Sequence, residues 1–323
     1  MKILFIAPHL SIGGPPQYLL KKIQALKKDY DIYLVEYFNA GPHPSSIKKQ
    51  LETILGDHLY TLGENKNELF NIIDKVQPKA IHLEEIPELF MAHSIAAPLF
   101  ENREGHYSIV QTTHSSQVNP EKLTFYPDKF VLVSAWSQQL FSKKIPDIPC
   151  YVWEYPILEL DRNQASCQQK LGLDTSHKHV LMVGAFSEDK NQGEIFVVAK
   201  LLEPFKIKFH FVGRQAEDIK PYYERVASFK PDNCIVWGER EDVDAFYQAC
   251  DIFYFSARVE LNPIVIKEAL SYQLPSFFRR LHTYLDAYDD HPFVTYIDDN
   301  VLETKKKILE TLKPSFIDSS VDR

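Results

Sequence analysis

Glu260 and Glu268 stand eight positions apart, with Asn262, Pro263, Ile264 and Val265 between them. Just before them, Ile252, Phe253, Tyr254 and Phe255 form one apolar run within Asp251–Ser256, the pattern of a buried strand. Asn262 and Pro263 then read as the N-cap and first position of a helix, because Asn accepts a hydrogen bond from a first-turn N–H and proline has no N–H to leave unused. The N–H groups of Asn262, Ile264 and Val265 converge at such a helix start, a ready site for an anion and most naturally for a phosphate. Two carboxylates beside a phosphate repel it unless each has a separate role. Carboxylates accept hydrogen bonds from hydroxyls, and a sugar nucleotide brings phosphates, a ribose diol and hexose hydroxyls to one place.

The pair Glu260 and Glu268, after a strand and at a helix start, resembles the E-x7-E motif of retaining GT-B glycosyltransferases of the GT4 type, the glycosyl transferases group 1. The resemblance implies that Glu260 meets the transferred sugar and Glu268 the ribose hydroxyls. VLMVGAFSEDKNQG is similar to the family's first donor strand and phosphate loop, with Gly184 allowing close approach and Lys190 matching the lysine that neutralises the diphosphate. The family commonly has Arg five residues before that lysine, and here the position is Ala185. Arg214, Arg258 or Arg279 would supply the missing charge, with Arg258 favoured as the nearest to Glu260 in sequence. HFVGR, with Gly213 and Arg214, resembles the next strand turn. VWGEREDVDAFYQACDIFYFS resembles the segment in which Gly238, Glu239 and Arg240 surround the nucleotide base. Between the two acids, Leu261, Asn262 and Pro263 replace the commoner Gly-Phe-Gly. The family works without a bound metal.

On the acceptor side, Gly13 and Gly14 resemble the family's N-terminal glycine loop, though a plain βα turn explains them as well. His114, in QTTHSS, matches a family histidine near the transferred sugar. Glu84 and Glu85 end a strand and could meet acceptor hydroxyls. Trp136, in VSAWS beside Ser134, could stack on a sugar or fill the sheet edge. The resemblance makes Glu260, His114 and Lys190 the catalytic candidates.

These residues need elements to hold them. Lys2–Ala7, a glycine loop, a helix over Gln17–Lys28 and a strand over Asp31–Tyr37 make a Rossmann-like βαβ start. Strands follow at His58–Leu62, Ala80–Glu84, Tyr107–Thr113, Phe130–Ser134 and Cys150–Trp153, with helices at Ser45–Leu55, Glu68–Val76, Pro87–Glu101 and Ser137–Lys143. A polar stretch with Pro156 marks a boundary, and Gly172 is placed to cap a helix over Gln164–Leu171. A second series has strands at His179–Gly184, Ile207–Val212, Cys234–Trp237, Asp251–Ser256, Pro275–Phe278 and Phe293–Ile297. Its helices are Glu194–Leu202, Ile219–Ser228, Val243–Ala249, Pro263–Tyr272 and Val301–Leu312, and Ser315–Arg323 reads as a frayed tail. The predicted fold class is α/β of GT-B type: two Rossmann-like domains facing each other across a cleft. The predicted domains are 1–156 (acceptor), 157–300 (nucleotide-sugar donor) and 301–323 (C-terminal helix and tail).

With 323 residues, 45% apolar and 25% charged, the chain is long enough for two globular domains. A net charge of -8 argues against a nucleic-acid surface. Four cysteines without a CxxC spacing suit a reducing compartment and give no metal signal. MKILFIAPHL has too short an apolar core for a signal peptide, and no run approaches the roughly 18–20 residues of a membrane span. The expected location is cytoplasmic, and the lysines Lys305–Lys307, with the family analogy, allow peripheral membrane contact. The expected partners are a nucleotide sugar, as donor substrate, and a glycan or glycolipid acceptor, with no cofactor and no metal. Rival readings are a nucleotide-sugar epimerase of the same fold, a non-catalytic nucleotide- or glycan-binding protein, and, most weakly, an NAD enzyme, since GxGxxG is missing.

Overall fold

The structure is a computed structural model and describes residues 1–11, 13–39, 45–214, 220–284 and 287–313. The tail expectation for Ser315–Arg323 lies outside the described residues. The chain divides into two compact units, Met1–Tyr155 and Pro156–Arg323.

The first unit alternates β1 (Lys2–Ala7), α1 (Gly14–Leu26), β2 (Asp31–Glu36), α2 (Ser46–Leu55), β3 (Leu59–Thr61), α3 (Glu68–Val76) and β4 (Ala80–Leu83). It continues with α4 (His93–Glu101), β5 (Ser108–Gln111), β6 (Lys129–Leu132), α5 (Ala135–Lys144) and β7 (Cys150–Val152). The strands pair in parallel in the order 3-2-1-4-5-6-7. Parallel strands are covered on both faces, which is why β1 is a continuous apolar run with Leu4, Phe5 and Ile6 fully buried.

The second unit runs α6 (Gln164–Leu171), β8 (Lys178–Val183), α7 (Gln192–Leu201), β9 (Ile207–Val212), α8 (Lys220–Ala227), β10 (Cys234–Gly238) and α9 (Val243–Ala249). It ends with β11 (Ile252–Phe255), α10 (Ile264–Ser271), β12 (Ser276–Arg279), β13 (Val294–Ile297) and α11 (Val301–Leu312). Its order is 10-9-8-11-12-13, again parallel. The core is rich in aromatic side chains, including Phe186, Phe196, Phe211, Phe246 and Phe253, each worth about 1.5–3 kcal/mol when removed from water. α11 belongs to this core through Ile308 and Leu312.

In each sheet the strand order reverses once, between β1 and β4 and between β8 and β11. Loops diverge at such switch points and leave a crevice at the carboxyl ends of the strands, where α/β proteins bind ligands. The residues singled out by the sequence cluster at these ends.

Three local expectations need correction. The helix expected over Pro87–Glu101 is broken: a single 3-10 turn at Pro87–Leu89 stops, Ala92 is extended, and α4 starts at His93. Glu88 explains the interruption, since its carboxylate is spent on the N–H groups of Thr124 and Phe125. α1 begins at Gly14, earlier than Gln17, because Pro15 and Pro16 occupy first-turn positions that need no donor. α10 begins at Ile264 with Pro263 as its N-cap, so Asn262 precedes the cap. Pro263 sits at ψ 111°, an extended value that puts the helix start one residue later.

Candidate functional site

The candidate site of the second unit begins where β8 ends. Gly184 donates its N–H to Val212 O at 2.9 Å, Gly213 donates to Gly238 O at 2.8 Å, and Phe186 donates to Arg214 O at 3.2 Å. The ends of β8, β9 and β10 are thereby stitched together. The stitch demands glycine: a Cβ on Gly213 would lie 2.0 Å from Gly184 O, and Gly213 has φ +158°. Gly238 adopts φ +69°, a left-handed value.

The loop after Gly184 folds on itself. Gln192 Nε2 donates to Ala185 O at 2.9 Å, and Lys190 N donates to Ser187 Oγ at 3.3 Å. Two donors from the β11 side, the Ser256 hydroxyl and the Arg258 N–H, fix its far end. Ser256 Oγ lies 3.0 Å from Lys190 O and 2.9 Å from Asn191 O, and Arg258 N donates to Asp189 O at 2.8 Å. The loops following β8 and β11, adjacent strands at the switch point, therefore form one backbone unit.

Lys190 leaves this unit with its stem alongside Gly184 and its ammonium 5.5 Å from the Phe255 ring centroid. Its Nζ is ion-paired with Glu260 Oε1, a residue 70 positions away in sequence. Burial pushes the ammonium down to about 8. Glu260 is also fixed through its backbone, since Thr283 Oγ1 donates to Glu260 O at 2.7 Å. A few residues on, α10 presents the N–H groups of Ile264 and Val265, which a helix leaves without intrahelical acceptors. Glu268, on the same helix, accepts from Tyr247 Oη at 2.9 Å, and Tyr247 is itself buried and stacked on Tyr272. Arg240 lies 5.8 Å from the Trp237 and Phe246 rings, and its guanidinium makes a bidentate pair with Asp242 at 2.9 and 2.9 Å.

The charge expected from Arg258 is already engaged. Arg258 Nη2 lies 2.7 Å from Asp299 Oδ1 and 3.6 Å from Glu194 Oε2. Buried Arg279 pairs with the same two acids, through Nη2 with Glu194 and through Nη1 with Asp299 at 2.9 Å. Arg214 reaches the Ala185 loop by its backbone, through the Phe186 bond. The two arginines placed to replace the missing one are thus already holding carboxylates. Among the described residues, no group of three or more His, Cys, Asp or Glu is arranged to hold a metal.

In the first unit, Gly13 precedes α1 with φ +141° and Gly14 opens the helix. Glu84 is not an open acceptor-side carboxylate. It is buried, and Lys22 Nζ donates to its two oxygens at 2.7 and 3.0 Å. Burial presses both groups towards neutrality, lowering Lys22 and raising Glu84, while each one's charge opposes the shift in the other. Around this pair stand His82 Nε2 at 3.6 Å and His114 Nε2 at 4.0 Å from the Glu84 oxygens. His114 is held by its backbone N–H to Glu85 Oε2 at 3.2 Å and by an edge contact with Tyr18. Burial pushes its imidazole down to about 3, so the ring is neutral, and its buried Nε2 has no hydrogen-bond partner. Trp136 sits in the first turn of α5, half-buried, after the Ser134 cap.

The lysine cluster near the C-terminus is largely engaged. Lys307 Nζ donates to Tyr296 O at 3.0 Å, Lys305 lies over Phe205, and Lys306 faces Glu310. Lys305–Lys307 therefore do not form a three-lysine face. No described helix is long and apolar enough to cross a membrane.

Sequence reasoning missed Tyr247, Ser256, Thr283, Glu194 and Lys22. Lys22 had a signal: it lies four residues after Tyr18 and three after Leu19, on the buried side of α1. The hydroxyl partners had none, because their acceptors are distant in sequence.

Residues 163–292 match the sequence profile of the family described as Glycosyl transferases group 1. Comparison with curated proteins returns no match. The fold is similar to that of Anabaena HepE, solved in complex with UDP and glucose (TM-score 0.76, 15% identity, 98% of this chain and 90% of that one). It is also similar to a glycosyltransferase from Rickettsia africae (TM-score 0.74, 14% identity, 97% and 88%). A sucrose-phosphate synthase from Thermosynechococcus elongatus is similar as well (TM-score 0.72, 12% identity, 96% and 90%). These likenesses show the GT-B fold.

Proposed function

We propose that this chain, whose residues 163–292 match the glycosyl transferases group 1 profile and whose fold is of GT-B type, transfers a sugar from a nucleoside-diphosphate sugar to a hydroxyl of a glycan or glycolipid acceptor, with retention of configuration and without a metal. The observation that carries the reading is the meeting of Lys190 and Glu260 at the switch point of the second sheet, beside the start of a helix that also bears Glu268.

Each group then has its own part in the reaction. The N–H groups of Ile264 and Val265 and the Lys190 ammonium take the diphosphate. Glu268, pre-oriented by Tyr247, accepts the ribose hydroxyls. Glu260 accepts from hydroxyls of the transferred sugar once the diphosphate draws Lys190 away. The bond from the anomeric carbon to the phosphate oxygen breaks with its electron pair going to phosphate. The acceptor oxygen bonds to the same face, and its proton passes to the departing phosphate oxygen. The protein's share is charge stabilisation and orientation. Neutral His114 suits a hydrogen bond to a sugar or acceptor hydroxyl, where a charged imidazolium would compete with the developing positive charge. UDP, the nucleotide bound in the HepE structure, is the first donor nucleotide to try.

Donor-dependent kinetics of Glu260→Gln and Glu268→Gln test the reading. Glu268→Gln is expected to raise the donor KM and weaken free nucleotide binding, and Glu260→Gln to lower kcat. Turnover like the parent's in both variants would sink the assignment. Release of an epimerised nucleotide sugar without transfer would establish the rival chemistry, and nucleotide binding with no turnover on any donor would establish a binding protein.

A further inference from the structure

Three donor-side cations, Lys190, Arg258 and Arg279, are matched by three carboxylates. Lys190 holds Glu260, and Arg258 with Arg279 hold Glu194 and Asp299. A diphosphate brings two or more negative charges into this balance, so at least one carboxylate has to let go.

Burial separates the candidates. Glu194 is 8% exposed and, besides Arg279, receives two further ties: Tyr254 Oη at 3.1 Å and Asn191 Nδ2 at 2.9 Å. Glu260 is 14% exposed, with its backbone fixed by Thr283. Asp299 is 70% exposed, and its Oδ1 is the atom that both arginines hold. Removing a carboxylate from two guanidinium groups is least unfavourable where water can replace them. Arg258 is the more exposed partner, at 51% against 9% for Arg279.

We propose that Asp299 is a releasable counter-ion: it neutralises Arg258 and Arg279 in the empty site, and the phosphates of a nucleoside diphosphate displace it. This deepens the donor-site reading above and rests on it. The place is suitable. Arg258 N is bonded to Asp189 O, next to Lys190, and Arg279 Nε lies 3.3 Å from Ser256 O, the residue whose hydroxyl holds Lys190 O. Once displaced, the Asp299 carboxylate lies one residue before Asn300, the N-cap of α11, where the helix dipole and water receive it. The arrangement also answers the Ala185 departure: the missing arginine is replaced by a pair whose charge appears only when an anion arrives.

The inference predicts a gain of affinity from loss of an acid. Asp299→Asn keeps the size and removes the charge. Calorimetric titration with UDP and with inorganic pyrophosphate should show binding about tenfold tighter than the parent's, an advantage that shrinks in high salt. Asp290→Asn, which removes an equal charge from an exposed turn of the same unit, should leave both affinities unchanged. Adding Arg258→Ala to Asp299→Asn should abolish the gain. Unchanged or weaker binding in Asp299→Asn, or an equal gain in Asp290→Asn, overturns the inference and leaves the donor-site reading standing. Binding of neither UDP, ADP nor GDP by the parent and by Asp299→Asn overturns both.

Discussion

Protonation of His210 should destabilise the second unit in a predictable pH window. Trp237 Nε1 donates to His210 Nδ1 at 3.0 Å, His210 Nε2 faces His179 Nδ1 at 2.9 Å, and His179 Nε2 faces the Asp174 carbonyl at 3.1 Å. The indole N–H is only a donor, so His210 Nδ1 is bare and its proton is on Nε2. That proton fills His179 Nδ1, and His179 in turn donates to Asp174 O. Every link holds only if both buried rings are neutral. Burial, reinforced by His179 and Lys208, pushes His210 down to about 3, and burial lowers His179 as well. The unfolded chain takes up the proton near pH 6.5, so the folded state's refusal stabilises fully above that pH and is lost as pH falls towards about 3. At pH 5 the loss assignable to His210 is about 2 kcal/mol. The assay is urea unfolding at pH 7 and pH 5, followed by Trp237 fluorescence with Trp136 and Trp153 changed to Phe. His210→Gln keeps a donor towards His179 and cannot titrate. Its stability should fall less between the two pH values, by about 2 kcal/mol, than the parent's. Parallel pH–stability curves for the two proteins would refute the argument, because other histidines contribute equally to both.

Two further outcomes follow from the site's construction. Gly213→Ala places a methyl 2.0 Å from Gly184 O and should reduce stability by roughly 3 kcal/mol or more in urea unfolding, whereas Gly63→Ala, with nothing within 4 Å of the new Cβ, should be nearly silent. Tyr247→Phe removes the hydroxyl that orients Glu268 and should weaken UDP binding by about 1 kcal/mol in calorimetry, and unchanged affinity would show that Glu268 needs no such support.

Much of the fold was legible because parallel strands are covered on both faces and leave unbroken apolar runs. β1 and β9 appear at the residues expected, as do α3, α6, α9 and α11, and Gly172 adopts the left-handed conformation of a C-cap at φ 65°. The break near Pro87–Leu89 was not legible, because it depends on Glu88 meeting a segment 36 residues further on. The start of α10 was misread by one residue because Asn and Pro each have two good places at a helix entrance. The site was legible as a set of residue types and illegible as a set of pairings. Nothing local marks Glu194 as the partner of Arg279, 85 residues away, or Asp299 as the partner of Arg258. Glu84 shows the same limit: a carboxylate at a strand end reads as open to ligand until a lysine from the first helix is found on it.

These pairings also determine how the donor-side site can respond to a ligand. Its backbone is fixed by the Gly184–Val212 and Gly213–Gly238 hydrogen bonds, by the Ser256 hydroxyl on Lys190 O and Asn191 O, and by the Thr283 hydroxyl on Glu260 O. Its charged side chains, by contrast, are held by one another. Breaking the first kind would strand buried polar groups, at about 1–3 kcal/mol each. Exchanging the second kind keeps each cation paired, provided the incoming ligand is an anion, and leaves the displaced carboxylate to hydroxyls or water. On the proposed reading, the least resisted response to a diphosphate is an exchange of side-chain partners on a stationary backbone, with Lys190 turning from Glu260 and Arg258 from Asp299. An uncharged sugar cannot drive that exchange. If the proposed donor-site reading holds, Glu260 is released to meet sugar hydroxyls only after phosphate has taken Lys190, which would make recognition of the sugar conditional on recognition of its nucleotide.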